Sequence, residues 1–391
     1  MLPCATFNPR CLPMSDLPRS VSDATPSSPL DALLRHFHRV IVPLWLGPGW
    51  NARLELPYEA LDAEQRPLPA QRYRAMACAR QLFLFASLID QPDVPQARER
   101  AARLFASLQR HFYDAHNGGW FYSIDAEGAP LDRRKDLYTH AFVIFACAHY
   151  RARVEDPQAD SVLQTALTLV RERFADGQGL YEAQLGEDWS PLGSGPLQNP
   201  LMHLTEAFLA TLALRDDALT RDALLALVNA MQARFVDPAT GVVLEKPLGA
   251  ADNWFEPGHQ FEWFFLLHGS PLLATTALHA SLERAFEFAL AHGLDANSGA
   301  VSAMLAADGS LLDGTQRIWA QAEYLRALAL RGTEPQVLNE RLGRFAERFL
   351  HARGWHECLD GQGRLSRSDM PSTSPYHLAT CYQGVIAQGR R

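Results

Sequence analysis

The sequence predicts an all-α fold, an (α/α)6 barrel of six inner and six outer helices with short β-hairpins in its long loops. Three observations carry that prediction. Apolar residues recur at three- and four-residue spacing through almost everything after residue 29, as amphipathic helices require. The linkers alternate between tight turns and Gly- and Asp-bearing stretches of about twenty residues with strand-like pairs. The resulting unit of helix, short turn, helix and long loop recurs about six times, the mark of a repeat architecture in which each helix pair buries its apolar face against its neighbours. An open α-solenoid would carry terminal caps. A ring of six pairs closes on itself, and the closed form is favoured.

Taken in order, the periodicity places helices at 30–46, 69–90, 94–115, 134–153, 156–175, 198–214, 217–235, 258–269, 271–292, 315–332, 335–351 and 374–388. Gln91-Pro92-Asp93 and Gly269-Ser270-Pro271 are tight turns, whereas Asn117–Asp125 and Asp237–Leu244 read as hairpins. The second helix of each pair is expected to be the more apolar one and to form the inner ring. Residues 1–29, rich in Pro and Ser and without periodicity, read as a flexible leader ahead of one catalytic domain at 30–391; Met14 is an alternative start. The leader lacks the continuous apolar segment of a secretory signal.

Composition narrows the class. The 391 residues are 47% hydrophobic and 20% charged, a globular composition with no apolar run of the roughly 20 residues that span a bilayer. Lys+Arg 36 against Asp+Glu 44 gives a net charge of −8, with the charges interspersed, so neither nucleic acid nor an anionic membrane is an expected partner. The cysteines form no Cys-x-x-Cys pair, and Cys78 and Cys147 fall in apolar helical surroundings, which fits reduced thiols and a cytoplasmic protein. His36 and His38 would point to different faces of a helix, and no other cluster has metal-ligand spacing, so no metal and no cofactor are expected. A monomer or homodimer is expected.

The apolar helices carry residues that a core would not select. Arg80, Tyr138, His203, His259, Trp319 and His377 follow one another at intervals of 58, 65, 56, 60 and 58 residues. In a closed ring, equal phase means equal height and the same inward direction, so the six should converge on one cavity. Singly, each has a plainer reading: Arg80 as a structural ion pair, His203 as a partner for local backbone, Tyr138 and Trp319 as packing, Glu206 and Glu323 as links between helices. The shared register favours a site. His140, His149, His268 and His279 lie out of register and read as structural or exposed.

The segments Ala79-Arg80-Gln81-Leu82-Phe83, Gln198-Asn199-Pro200-Leu201-Met202-His203, Pro257-Gly258-His259-Gln260-Phe261-Glu262-Trp263, Arg317-Ile318-Trp319-Ala320-Gln321-Ala322-Glu323 and Pro375-Tyr376-His377 resemble the N-acylglucosamine 2-epimerase superfamily, in family order over the chain after residue 30. The resemblance implies an (α/α)6 barrel that interconverts sugars without a metal. It makes His259 and His377 the acid/base pair, with Arg80 beside the C1 and C2 oxygens and Glu262 orienting or charge-balancing a catalytic histidine. Asn199 and His203 would contact the sugar. Tyr138, Met202, Trp263 and Trp319 would line the pocket, with Glu323 among the substrate-binding residues. The His-Gln-Phe-Glu-Trp form is most similar to the mannose isomerases, and Ile318 stands where cellobiose epimerases often carry a first tryptophan of a pair. The implied substrate is a monosaccharide.

Moving a carbonyl between C1 and C2 removes a proton from the adjacent carbon and leaves an enediolate, chemistry suited to histidine and to a cation at the developing oxyanion. His259, in a first helical turn, is expected to be held neutral by the macrodipole, with Glu262 at i+3 stabilising its charged form. His377 is expected to take the C2 proton and return it to C1, while His259 opens the ring and serves O1 and O2; the reverse assignment stays open. A 2-epimerase shares the enediolate. A glycoside hydrolase using Glu262 and Glu323, or a non-catalytic scaffold, would leave the in-register histidines and Arg80 without a task.

Overall fold

The computed structural model describes residues 26–389, so the expected leader falls, up to residue 25, outside the described residues. Among the described residues, twelve helical arms alternate between two layers. The first outer arm runs continuously through Pro29–His36, Phe37–Ile41 and Val42–Leu46 (α1). Inner helices are Ala75–Ala86 (α2), Leu137–Arg151 (α4), Gln198–Leu214 (α6), Pro257–His268 (α8), Ile318–Arg331 (α10) and Ser374–Gly389 (α12). Outer helices are Ala97–Ser107 (α3), Pro157–Leu169 (α5), Ala218–Phe235 (α7), Ala277–His292 (α9) and Pro335–Phe349 (α11).

The inner helices pack in the order α2, α4, α6, α8, α10, α12, and α12 returns to α2, which closes the ring. An open solenoid has no such contact. The inner helices are buried nearly all round, as a helix apolar on every face should be: every residue of α2 and eleven of the twelve in α8 are buried. Outer helices bury one stripe, such as Leu342, Phe345 and Phe349 on α11. Free, buried Cys78 and Cys147 belong to this core. Among the described residues, no helix is long and apolar enough to cross a membrane.

Two expectations need correction. The more apolar helix of each short-turn pair is the first, not the second: α2 precedes the turn at Gln91, and the amphipathic α3 follows it. Several predicted helices also begin or end too far out. Tyr73–Arg74, Lys135–Asp136 and Gln316–Arg317 are short strands leading into α2, α4 and α10, and Leu350–His351 is a strand after α11. Strand alternation over two or three residues matches a helical period too, so periodicity alone extended the helix across them.

Those strands position the site. Tyr73–Arg74 pairs with Ser123–Ile124, Lys135–Asp136 with Gln184–Leu185, Trp254–Phe255 with Met304–Ala306, and Gln316–Arg317 with Cys358–Leu359. The entries to α2, α4, α8 and α10 are thereby stitched to the hairpin of the next repeat. The hairpins form a collar around one end of the barrel, where every inner helix starts.

Candidate active site

The first N–H groups of a helix have no partner within it, and the collar supplies one. The amide of Ala75 donates to Tyr122 (3.1 Å), Leu137 to Ala183 (2.9 Å), Gln198 to Glu245 (3.2 Å) and Ile318 to Glu357 (3.1 Å). These bonds fix the phase of α2, α4, α6 and α10, and with it the direction of the side chains near their starts. They converge on a cavity of about 160 Å3 lined by Arg80, Tyr138, Asn199, His203, Glu256, His259, Glu262, Arg317, Trp319 and His377. All six in-phase residues are present. Met202 and Trp263, expected to line the pocket, and Glu323, expected among the substrate-binding residues, are fully buried and are not among the lining residues.

Arg80 is 6% exposed and donates Nη2 to the Tyr138 hydroxyl at 2.6 Å. Its guanidinium lies 4.3 Å from the Phe142 ring centre and 4.8 Å from that of Tyr376, while Nε has no hydrogen-bond partner. The ion pair that a lone buried arginine suggests is not found among the described residues. Burial pushes the Tyr138 phenol up to about 12, against the pull of Arg80. His203 stands edge-on to the Tyr138 ring at 4.9 Å and holds Glu206 through Nδ1 at 3.1 Å.

Two further His–Glu bonds face one another across Trp319. His259 Nδ1 lies 2.6 Å from Glu245 Oε1, and His377 Nδ1 lies 2.7 Å from Glu323 Oε1. The indole is 5.0 Å from the His259 ring and 5.5 Å from the His377 ring, so it separates the two imidazoles and leaves an Nε2 of each for the cavity. Their protonation differs. Burial disfavours the His259 charge, but Glu245 and Glu256 outweigh it and raise the imidazole to about 9. Burial, Arg80, His203, Arg326 and His259 all push the His377 imidazole well below its usual value. One ring is therefore charged at neutral pH and the other is neutral.

The expected partner of His259 needs revision. Glu262 shares its helix face, but its oxygens have no hydrogen-bond partner among the described residues. Oε1 lies 3.6 Å from Arg326 and 3.9 Å from His203. Its effect on His259 is the smaller one, behind Glu245 and Glu256. The macrodipole expectation fails in direction too. A helix end contributes about 0.3–1 kcal/mol at exposed sites, less than two buried carboxylates can.

Below the cavity, Arg326 contacts Glu323 through Nε, and the Tyr376 hydroxyl donates to Glu206. Among the described residues, three groups place potential ligand atoms within 4.8 Å of one another: His203, Glu206 and Glu262; Glu245, Glu256 and His259; Glu262, Glu323 and His377. In the third, the Arg326 guanidinium already meets both carboxylates, and a second cation would meet its repulsion. The same proximity bears on hydrolysis. Glu262 and Glu323 are closer than the roughly 6.5–9.5 Å that an inverting pair needs.

Helix register could not find Glu245, Glu256 or Arg317, because they stand on the collar. A signal did exist. Tyr122, Ala183, Glu245 and Glu357 are equivalent acceptors at intervals of 61, 62 and 112 residues, the last spanning two repeats. Glu256 and Arg317 are the residues just before α8 and α10.

The model of the family described as N-acylglucosamine 2-epimerase (GlcNAc 2-epimerase) matches residues 57–381. A protein named mannose-6-phosphate isomerase from Rhizobium meliloti (strain 1021) is 28% identical over 363 residues, covering 86% of this chain and 91% of the relative. A D-mannose isomerase from Thermobifida fusca is 28% identical over 319 residues, 74% of each chain. The solved cellobiose 2-epimerase from Bacillus thermoamylovorans B4167 superposes with a TM-score of 0.82 at 16% identity, over 91% of this chain and 98% of that one; at that identity it speaks to the fold.

Proposed function

The chain belongs to the N-acylglucosamine 2-epimerase family, a family of sugar isomerases and epimerases, and we propose that it is an aldose–ketose isomerase interconverting D-mannose and D-fructose. The observation that carries the reading is the opposed pair in one cavity: a charged His259 and a neutral His377 separated by one indole.

His259 gives its Nε2 proton to the ring oxygen and takes that of the C1 hydroxyl, and the sugar opens to the aldehyde. His377 Nε2 then takes the C2 proton while the C1 carbonyl oxygen gains negative charge, forming the cis-enediolate. Arg80, whose guanidinium lines the cavity, stabilises that charge where water is excluded. His259 then gives its proton to O1 and takes that of O2, and return of the proton from His377 to C1 gives the ketose. The Glu262 oxygens and Asn199 accept sugar hydroxyls. A general acid and base matched in this way each contribute typically about 10²–10⁴-fold.

The small cavity supports a monosaccharide, being below the roughly 300–1,000 Å3 of sites for drug-sized ligands. The two relatives with mannose in their names support the sugar. A 2-epimerase is the second reading, favoured by the presence of two histidines, either of which could return the proton to C2. Incubation with mannose, mannose 6-phosphate, N-acetylmannosamine, glucose and cellobiose, without added metal, tests the proposal by NMR of the products. Fructose from mannose, with deuterium at C1 when made in D2O, is the expected result. An epimer with deuterium at C2 and no ketose would replace isomerase by 2-epimerase.

A further inference from the structure

We propose that Arg326 is a positioning residue for this reaction: from beneath the cavity its cation favours the ionised form of Glu323, the form in which Glu323 accepts a hydrogen bond from His377 Nδ1 and Nε2 meets the sugar unprotonated. The inference rests on the isomerase reading. Arg326 is 2% exposed and is not among the cavity-lining residues, so it acts on substrate only through others. It follows Glu323 by three residues on α10, touches that carboxylate through Nε, and brings Nη2 to 3.6 Å from Glu262. Its guanidinium plane is backed by the Phe265 ring at 4.3 Å, which fixes the fork.

The surroundings show why a cation is needed there. Facing Arg326 are Glu206 from α6, Glu262 from α8, its own neighbour Glu323, and Tyr376 and Cys381 from α12. Three carboxylates thus crowd one water-poor floor. Burial, with the charges of Glu262 and Glu206, raises the Glu323 carboxyl well above its usual value, and Arg326 is the group that pulls it back toward ionisation. A protonated Glu323 would donate to His377 Nδ1. A neutral imidazole carries one N–H, which would then sit on Nε2, and the base would be lost. The groups facing His377 are Arg80 from α2, His203 from α6, His259 and Glu262 from α8, Glu323 and Arg326 from α10, and Tyr376 beside it on α12. Among these, Arg326 is the cation in contact with the His377 carboxylate partner.

The test is the pH dependence of kcat for mannose isomerisation in the wild type, Arg326→Met and Arg326→Lys. Loss of Arg326 raises the Glu323 carboxyl, and activity needs Glu323 ionised, so the acid limb should move to higher pH. Arg326→Met should lower kcat by about 100-fold near neutrality with KM within about threefold, and shift that limb upward by about one unit or more. Arg326→Lys keeps a charge but not the two-carboxylate fork, and should fall between. Should the methionine variant fail to fold by circular dichroism, the lysine variant carries the test, with an upward shift of about half a unit. An acid limb that coincides with the wild type in the folded variants, or a loss confined to KM, overturns the role of Arg326 alone. A wild type that isomerises no sugar in the screen overturns the isomerase reading and this inference with it.

Discussion

His259–Glu245 and His377–Glu323 are nearly the same object: a buried imidazole packed on Trp319, with Nδ1 2.6 or 2.7 Å from a carboxylate. Yet one ring is raised to about 9 and the other is depressed. The difference lies outside the bond. Glu245, Glu256 and Glu262 surround His259 with negative charge, whereas Arg80, His203, Arg326 and His259 surround His377 with positive charge. A histidine–carboxylate contact fixes the tautomer and the ring orientation; the wider field decides whether the ring is an acid or a base. Each pair has the protonation its proposed task needs before the sugar arrives.

The comparison breaks most severely if the base is removed. His377→Asn should lower kcat for mannose by about 10³-fold or more with KM within a few-fold, since the lost interaction exists in proton transfer. Steady-state rates and loss of solvent deuterium incorporation at C1 would check this, and activity within tenfold of wild type would return the C2 proton to His259. A milder change sharpens the contrast from the other side. Glu245→Gln deletes the largest charge that raises His259, so the ring should lose its proton at lower pH. The alkaline limb of kcat/KM should drop from about 9 toward 7–8, with a loss at neutral pH of about tenfold or less. An alkaline limb that stays near 9 would assign it to another group.

Much of this barrel can be read directly from its chain, and the boundary has a physical cause. Arg80, Tyr138, His203, His259, Trp319 and His377 share a cavity because helices of equal phase in a closed ring share a direction, and phase is a property of sequence spacing. Met202 and Trp263 show where that logic ends. They neighbour site residues in sequence, but one step along a helix turns a side chain by about 100°, here into the core. Glu245 shows a different limit. It reaches His259 across fourteen residues and a turn between strands, and local spacing carries no record of such a contact. Arg326 was hidden by its surroundings: at i+3 from Glu323 it reads as an ordinary helical ion pair, and only the closed ring reveals Glu206 and Glu262 facing it.

The central claim, that one histidine begins charged and the other neutral, is tested most directly by the pH profile of kcat/KM for mannose in the wild-type enzyme. Activity needs the His377–Glu323 pair to hold only the Nδ1 proton, and His259 to hold its own. The acid limb should therefore lie below the ordinary histidine value of about 6.5, because His377 is depressed, and the alkaline limb should fall near 9. A broad plateau between those limbs is the predicted result. A narrow bell with both limbs between pH 6 and 7, the roughly unperturbed range for two ordinary histidines, would contradict it.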